Sequence, residues 1–157
     1  MSLRSLVLVA CAALLSNMWA STAHAERASL RVTLTGIQEV PGPGDADGTG
    51  SAEIRVDSGE DQLCWDLHAR QVDVVTAAHI YRGAAGIVGS PIITLTTPDA
   101  DGHSRGCLAI DDAMVRELAM RGHEYYVNVL TEAHPEGAIR GQLRGGSTRP
   151  RGLLVDH

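Results

Sequence analysis

Apolar residues recur at every second position in short runs, and Gly-, Pro- and Asp-bearing segments separate the runs. Leu30, Val32 and Leu34 alternate with Arg31, Thr33 and Thr35. Ala52, Ile54 and Val56 repeat the pattern, as do Leu63, Trp65 and Leu67 against Cys64, Asp66 and His68. A period of two sends successive side chains to opposite faces of an extended chain, so each run predicts a half-buried strand. A fourth strand ends in Ala77 to Tyr81, a fifth covers Ile92 to Leu95, and a sixth covers Cys107 to Ile110 with Leu108 and Ile110 inward. The stretch Glu124 to Leu143, EYYVNVLTEAHPEGAIRGQL, supplies a final pair of strands around a Pro- and Gly-bearing connection. Residues 38–50, 83–91 and 97–106 read as loops. Asp111 to Met120 is the one convincing helix, with Asp111 or Asp112 as N-cap and Met114, Val115 and Leu118 on its apolar stripe. Eight short strands with turn signals between them predict an all-β antiparallel sandwich or barrel, in which the helix crosses between sheets.

The ends set the expected compartment. Arg4, the apolar run Leu6 to Leu15 and the small-residue pattern Ala23-His24-Ala25 have the form of a secretory signal peptide, with cleavage expected after Ala25. The stretch Leu8-Val9-Ala10-Cys11 also resembles a lipobox, but the apolar segment before Cys11 is short for that role. Residues 26–144 would then form one domain, and residues 145–157, which lack periodicity, a disordered tail. Removing Arg4 from 13 basic residues leaves 12 against 19 acidic ones, a formal charge of −7 for the mature chain. That balance argues against nucleic acid and against anionic membranes as partners. No second apolar stretch could span a bilayer. Of the three cysteines, Cys64 and Cys107 remain after processing, and both fall on outward positions of their strands. In an oxidising compartment such a pair predicts a disulfide.

Several motifs resemble those of a known family. Leu34-Thr35-Gly36 running into Glu39-Val40-Pro41, then Ala77-Ala78-His79-Ile80 with Gly83 and Gly86, then Tyr126-Val127-Asn128-Val129 with Thr131, and finally Ile139-Arg140-Gly141-Gln142-Leu143 are similar to the CHRD domain. That domain is named from chordin, an animal extracellular antagonist of bone morphogenetic proteins, and occurs also in secreted microbial proteins. The resemblance spans about Leu30 to Leu143. It implies a secreted, all-β, antiparallel β-sandwich of immunoglobulin-like or similar Greek-key type, and it brings no enzymatic activity with it. Two of the family's motif histidines are replaced here, by Tyr81 and Leu130.

With Ile80, Val127, Val129, Ile139 and Leu143 facing the core, His79, Tyr81, Asn128, Leu130, Arg140 and Gln142 gather on the opposite faces of their strands. This polar cluster, joined by Glu39, or else an exposed sheet edge, is the expected binding surface. A bidentate Glu39–Arg140 ion pair is expected to tie the first loop to the last hairpin. A copper or zinc site, or a redox function, would have to combine His79 with His134 or His123, and a single secure imidazole makes a poor site. Asp-Ala-Asp-Gly occurs at Asp45 to Gly48 and at Asp99 to Gly102, but neither copy continues into a calcium loop. No hydrolase or phosphate-binding motif is present. The sequence therefore reads as a secreted or periplasmic, non-catalytic binding or structural module. It is expected to need no cofactor, and its partner is expected to be an extracellular or envelope protein.

Overall fold

The computed structural model describes residues 26–145. The expected signal peptide and all but the first residue of the expected tail lie outside the described residues. Eight strands follow in chain order: β1 (Arg27–Thr35), β2 (Thr49–Asp57), β3 (Gln62–Arg70), β4 (Val75–Arg82), β5 (Ser90–Leu95), β6 (His103–Ala109), β7 (Tyr125–Thr131) and β8 (Ile139–Gln142). The helix α1 (Asp112–Arg121) lies between β6 and β7. Asp111 is its N-cap and accepts a hydrogen bond from Met114 N at 2.7 Å.

All the pairings are antiparallel, and they join the strands into one sheet in the order β5-β4-β7-β8-β1-β2-β3-β6. Period-two patterning assigns faces to strands but leaves open whether the strands divide into two hydrogen-bonded sheets. Here they do not divide, so the expected immunoglobulin-like or Greek-key sandwich of two sheets gives way to a single sheet. The two edges, β5 and β6, are consecutive in the chain, so their connection bridges the opening. Ser104 Oγ on β6 donates to Thr96 O just past β5 at 2.5 Å, and it accepts from Trp65 Nε1 at 3.0 Å. The sheet is thereby curled into a nearly closed barrel. With one continuous sheet the helix has no second sheet to cross to. It carries the chain from edge β6 back to interior β7, packing on β1 and β2 and placing Val115 and Leu118 in the core.

The core holds the inward residues that alternation assigns: Leu30, Leu34, Ile54, Leu63, Leu67, Ile80, Val127, Val129, Ile139 and Leu143 are all fully buried. Trp65 lies across its β6 partner Gly106, where a Cβ would collide with the indole. Cys64 and Cys107 face each other in register and are disulfide-bonded. Several strands begin earlier than expected: β2 takes in Thr49 and Gly50 and β5 takes in Ser90 and Pro91, all read as loop from sequence, and the largest difference is in β6. The sixth strand begins at His103, so His103 to Gly106 belong to the ladder and not to a loop.

Candidate functional site

The polar residues expected on the outer faces of β4, β7 and β8 do share one surface. Register sets them in two cross-strand rows. One runs Thr94–His79–Asn128–Arg140–Thr35 across β5, β4, β7, β8 and β1; the other runs Pro91–Tyr81–Tyr126–Gln142 across the first four of these strands. The surface is not open to solvent, because Tyr126, Asn128, Arg140 and Gln142 are all buried although they point away from the core.

Loops cover it. Residues 36–48 fold back over β8, with Gly44 N donating to Gly36 O and Asp45 N to Ala138 O at 2.8 Å, and this brings Glu39 into the cluster. Residues 83–89 fold down from the other side. Arg140 Nη2 donates to Ala84 O at 3.0 Å, Gln142 Nε2 donates to Gly83 O at 2.8 Å, and Tyr126 Oη accepts from Gly89 N at 3.1 Å. Gln142 Nε2 also donates to His123 O. The guanidinium of Arg140 lies 3.5 Å from the centre of the Tyr126 ring, which stacks on Tyr81 at 4.9 Å. Asn128 Nδ2 reaches Glu39 Oε2 and Glu136 O, each at 3.4 Å. That approach requires a glycine at position 137, whose φ is +151° and where a Cβ would collide with the Glu39 carboxylate.

The bidentate Glu39–Arg140 pair is not formed. Arg140 turns to Ala84 and Tyr126, and Glu39 Oε1 and Arg140 Nη1 each lack a hydrogen-bond partner. The planar guanidinium satisfies a loop carbonyl and an aromatic face together, and this geometry prevails over the single carboxylate. Arg140 still acts on Glu39 through space. Burial pushes the Glu39 carboxyl up to about 7, against the downward pull of Arg140, the Val40 backbone N–H and Asn128. Burial also lowers the pKa of His79 and raises that of Tyr81, where the Tyr126 and Glu39 groups add to the effect.

These shifts set a pH dependence. The folded pKa of Glu39 lies above its ordinary value of 4.5, so between the two the folded state holds a proton that the unfolded chain releases. The stabilisation linked to this proton is complete below pH 4.5 and is lost as pH rises through about 7. It amounts to at most ~3 kcal/mol. Asp66, held down by Arg105, and Glu53, held down by Ser29, add the opposite slope at lower pH. The comparison with Glu39→Gln isolates the effect. In urea titrations the variant gains stability relative to the parent between about pH 5 and pH 8. A constant difference across that range would mean that Glu39 does not titrate there.

The histidines considered from sequence as metal ligands lie on different elements. His79 sits mid-strand with Tyr81 as its aromatic neighbour, while His123 precedes β7 and His134 follows it. Among the described residues no three His, Cys, Asp or Glu side chains are placed to hold a metal ion. Both Asp-Ala-Asp-Gly copies are turns closed by their first aspartate: Asp45 Oδ1 accepts from Asp47 N and Gly48 N, and Asp99 Oδ1 accepts from Asp101 N and His103 N. Sequence reasoning missed Tyr126, which anchors both Gly89 and Arg140. Its place two residues before Asn128 on the same strand face was the available signal.

The family model for the CHRD domain matches residues 30–143, 114 of the 157 residues. No curated protein and no solved structure matches the chain significantly.

Proposed function

Because this chain belongs to the CHRD domain family, we propose that it works as a secreted or periplasmic, non-catalytic module that binds an extracellular or envelope protein. One observation carries the reading. The motif side chains Tyr126, Arg140 and Gln142 are all spent on the backbone of residues 83–89, and that loop presents Ile87 and Val88, 58% and 60% exposed, to solvent. Neighbouring Ile92 on edge strand β5 is also exposed. Side chains committed to holding a loop serve recognition by that loop better than chemistry on a substrate. An apolar tip held rigid loses little entropy when it meets a partner. The family and the Cys64–Cys107 bond both fit an extracellular or periplasmic setting. We take His79, Tyr81, Asn128 and Glu39 as the polar support beneath the presenting loop.

The test is cross-linked capture from the native envelope fraction, comparing the parent chain with an Ile87→Asp/Val88→Asp variant. The parent should retain a stoichiometric protein partner that the variant loses. Recovery of the same proteins by both chains would overturn the reading, and so would recovery of none.

A further inference from the structure

The outer faces of β3 and β6 carry a second constellation, remote in sequence from the family motifs. The register there is Cys64 opposite Cys107, Asp66 opposite Arg105 and His68 opposite His103. Every second residue shares a face, so a disulfide, an ion pair and a histidine pair follow one another along one two-stranded edge. Directly opposed residues bring their Cβ atoms to about 5 Å, and the covalent bond between Cys64 and Cys107 forbids the register slip that would part the histidines. The two imidazole centres are 4.2 Å apart and the rings are inclined at 67°.

We propose that His68 and His103 form a surface site for a divalent late first-row transition ion, with Asp66 as the positioning residue. Asp66 Oδ1 lies 2.9 Å from His68 Nε2, and Asp66 Oδ2 is held by Arg105 Nη2 at 2.8 Å. A carboxylate this close to Nε2 favours the tautomer that carries its proton there, which leaves the Nδ1 lone pair of His68 free. This carboxylate–histidine arrangement is the one that orients imidazole ligands on metals and raises their basicity. His68 is partly exposed and lines an open polar groove with Asp66, Arg31, Ser51 and Glu53, and its neighbour His103 is exposed to solvent. Water therefore has access to complete the coordination sphere beside the two nitrogens. Imidazole pairs favour copper(II) over zinc(II), by the general order of stability of these ions. An incidental contact between two surface rings would need neither the carboxylate on the distal nitrogen nor the arginine that holds it. The site does not touch residues 83–89, so it stands independently of the partner proposed above.

The probe is copper(II) added to the tag-free chain, followed by calorimetry and by electron paramagnetic resonance. The parent should bind one ion with two nitrogen ligands. His68→Ala and His103→Ala should each lower affinity at least about tenfold and remove one nitrogen from the spectrum. Asp66→Asn should lower affinity about tenfold while both nitrogens remain, which a purely structural Asp66 would not do. His134→Ala should bind as the parent does. Parent-like binding by either His68→Ala or His103→Ala would overturn the proposal, as would a parent chain that binds no copper. Both positions are on the surface, so the variants are expected to keep the fold, and an unchanged circular dichroism spectrum checks that they do.

Discussion

Replacing Cys64 and Cys107 together with alanine lowers the free energy of unfolding by ~4 kcal/mol, the chain-entropy value for opening a loop of this length. The two cysteines are 43 residues apart, and the loop they close contains β4, β5 and most of β6. Without the bond the unfolded chain regains the freedom of that whole segment. The folded chain then keeps β6 on β3 through ladder hydrogen bonds, inward side chains, the Trp65–Ser104 hydrogen bond and the Asp66–Arg105 ion pair, none of them covalent. Because β6 is an edge strand, it has no second neighbour to hold it. Two observables should move together in urea titrations. The midpoint falls, and the slope with denaturant rises because the unfolded ensemble becomes more expanded. A loss below about 1 kcal/mol would show that packing around Trp65 and Leu63 alone fixes this edge.

Arg140→Ala is expected to cost ~3 kcal/mol, the largest effect of any single polar substitution in the cluster. Arg140 is the bulkiest fully buried side chain among the described residues, at 2% exposure. Truncation leaves a cavity beneath residues 83–89, strips the Ala84 carbonyl of its donor and uncovers the Tyr126 ring. It also removes the positive charge that restrains the Glu39 carboxyl, so the pKa of Glu39 should rise further in the variant. Arg140→Met separates packing from charge, because it restores most of the stem but neither the hydrogen bond nor the cation–π contact. It should recover less than half of the loss. A methionine variant as stable as the parent would show that the guanidinium contributes nothing beyond volume. In a double-mutant cycle with Tyr126→Leu, a coupling of about 1 kcal/mol is expected from the ring contact.

Local pattern carried the parts of this fold that depend on strand parity. Leu30, Ile54, Leu63, Ile80 and Val129 are inward because alternation requires it, and Cys64 and Cys107 meet because both are outward and the strands pair in register. An aspartate cap at Asp111 or Asp112 was readable from its place before an apolar helical stripe, and the structure selects Asp111. Parity does not reveal what lies above an outward face. Asn128, Arg140 and Gln142 were correctly placed opposite the core, yet their burial depends on two loops whose paths no periodicity encodes. The same gap explains the Glu39–Arg140 pair. Opposite charges with flanking glycines suggested it, but the nearby Ala84 carbonyl and Tyr126 ring were invisible in sequence. The pairing of outward-facing His68 with His103 went unnoticed because the turn signal at Asp99 to Gly102 hid the first turn-proximal residues of β6. Stepping back by twos from Cys107 would have found Arg105 and His103 on its face.

The pairing of β1 with β8 carries a consequence for the order in which the molecule assembles. Thr35 lies opposite Arg140, and Arg31 exchanges backbone hydrogen bonds with Arg144, so the central seam of the sheet joins residues 105 positions apart (140 − 35). Hairpins such as β1–β2 and β4–β5 can form from neighbouring residues as soon as these emerge from synthesis. The seam cannot form until the final hairpin exists, and contacts of such long span are the slowest to close. Arg140 sits on that seam, on the last strand to arrive. The presenting loop therefore acquires its anchor only at the final step of folding, and a chain that stalls earlier would leave the free side of β1 open to another strand.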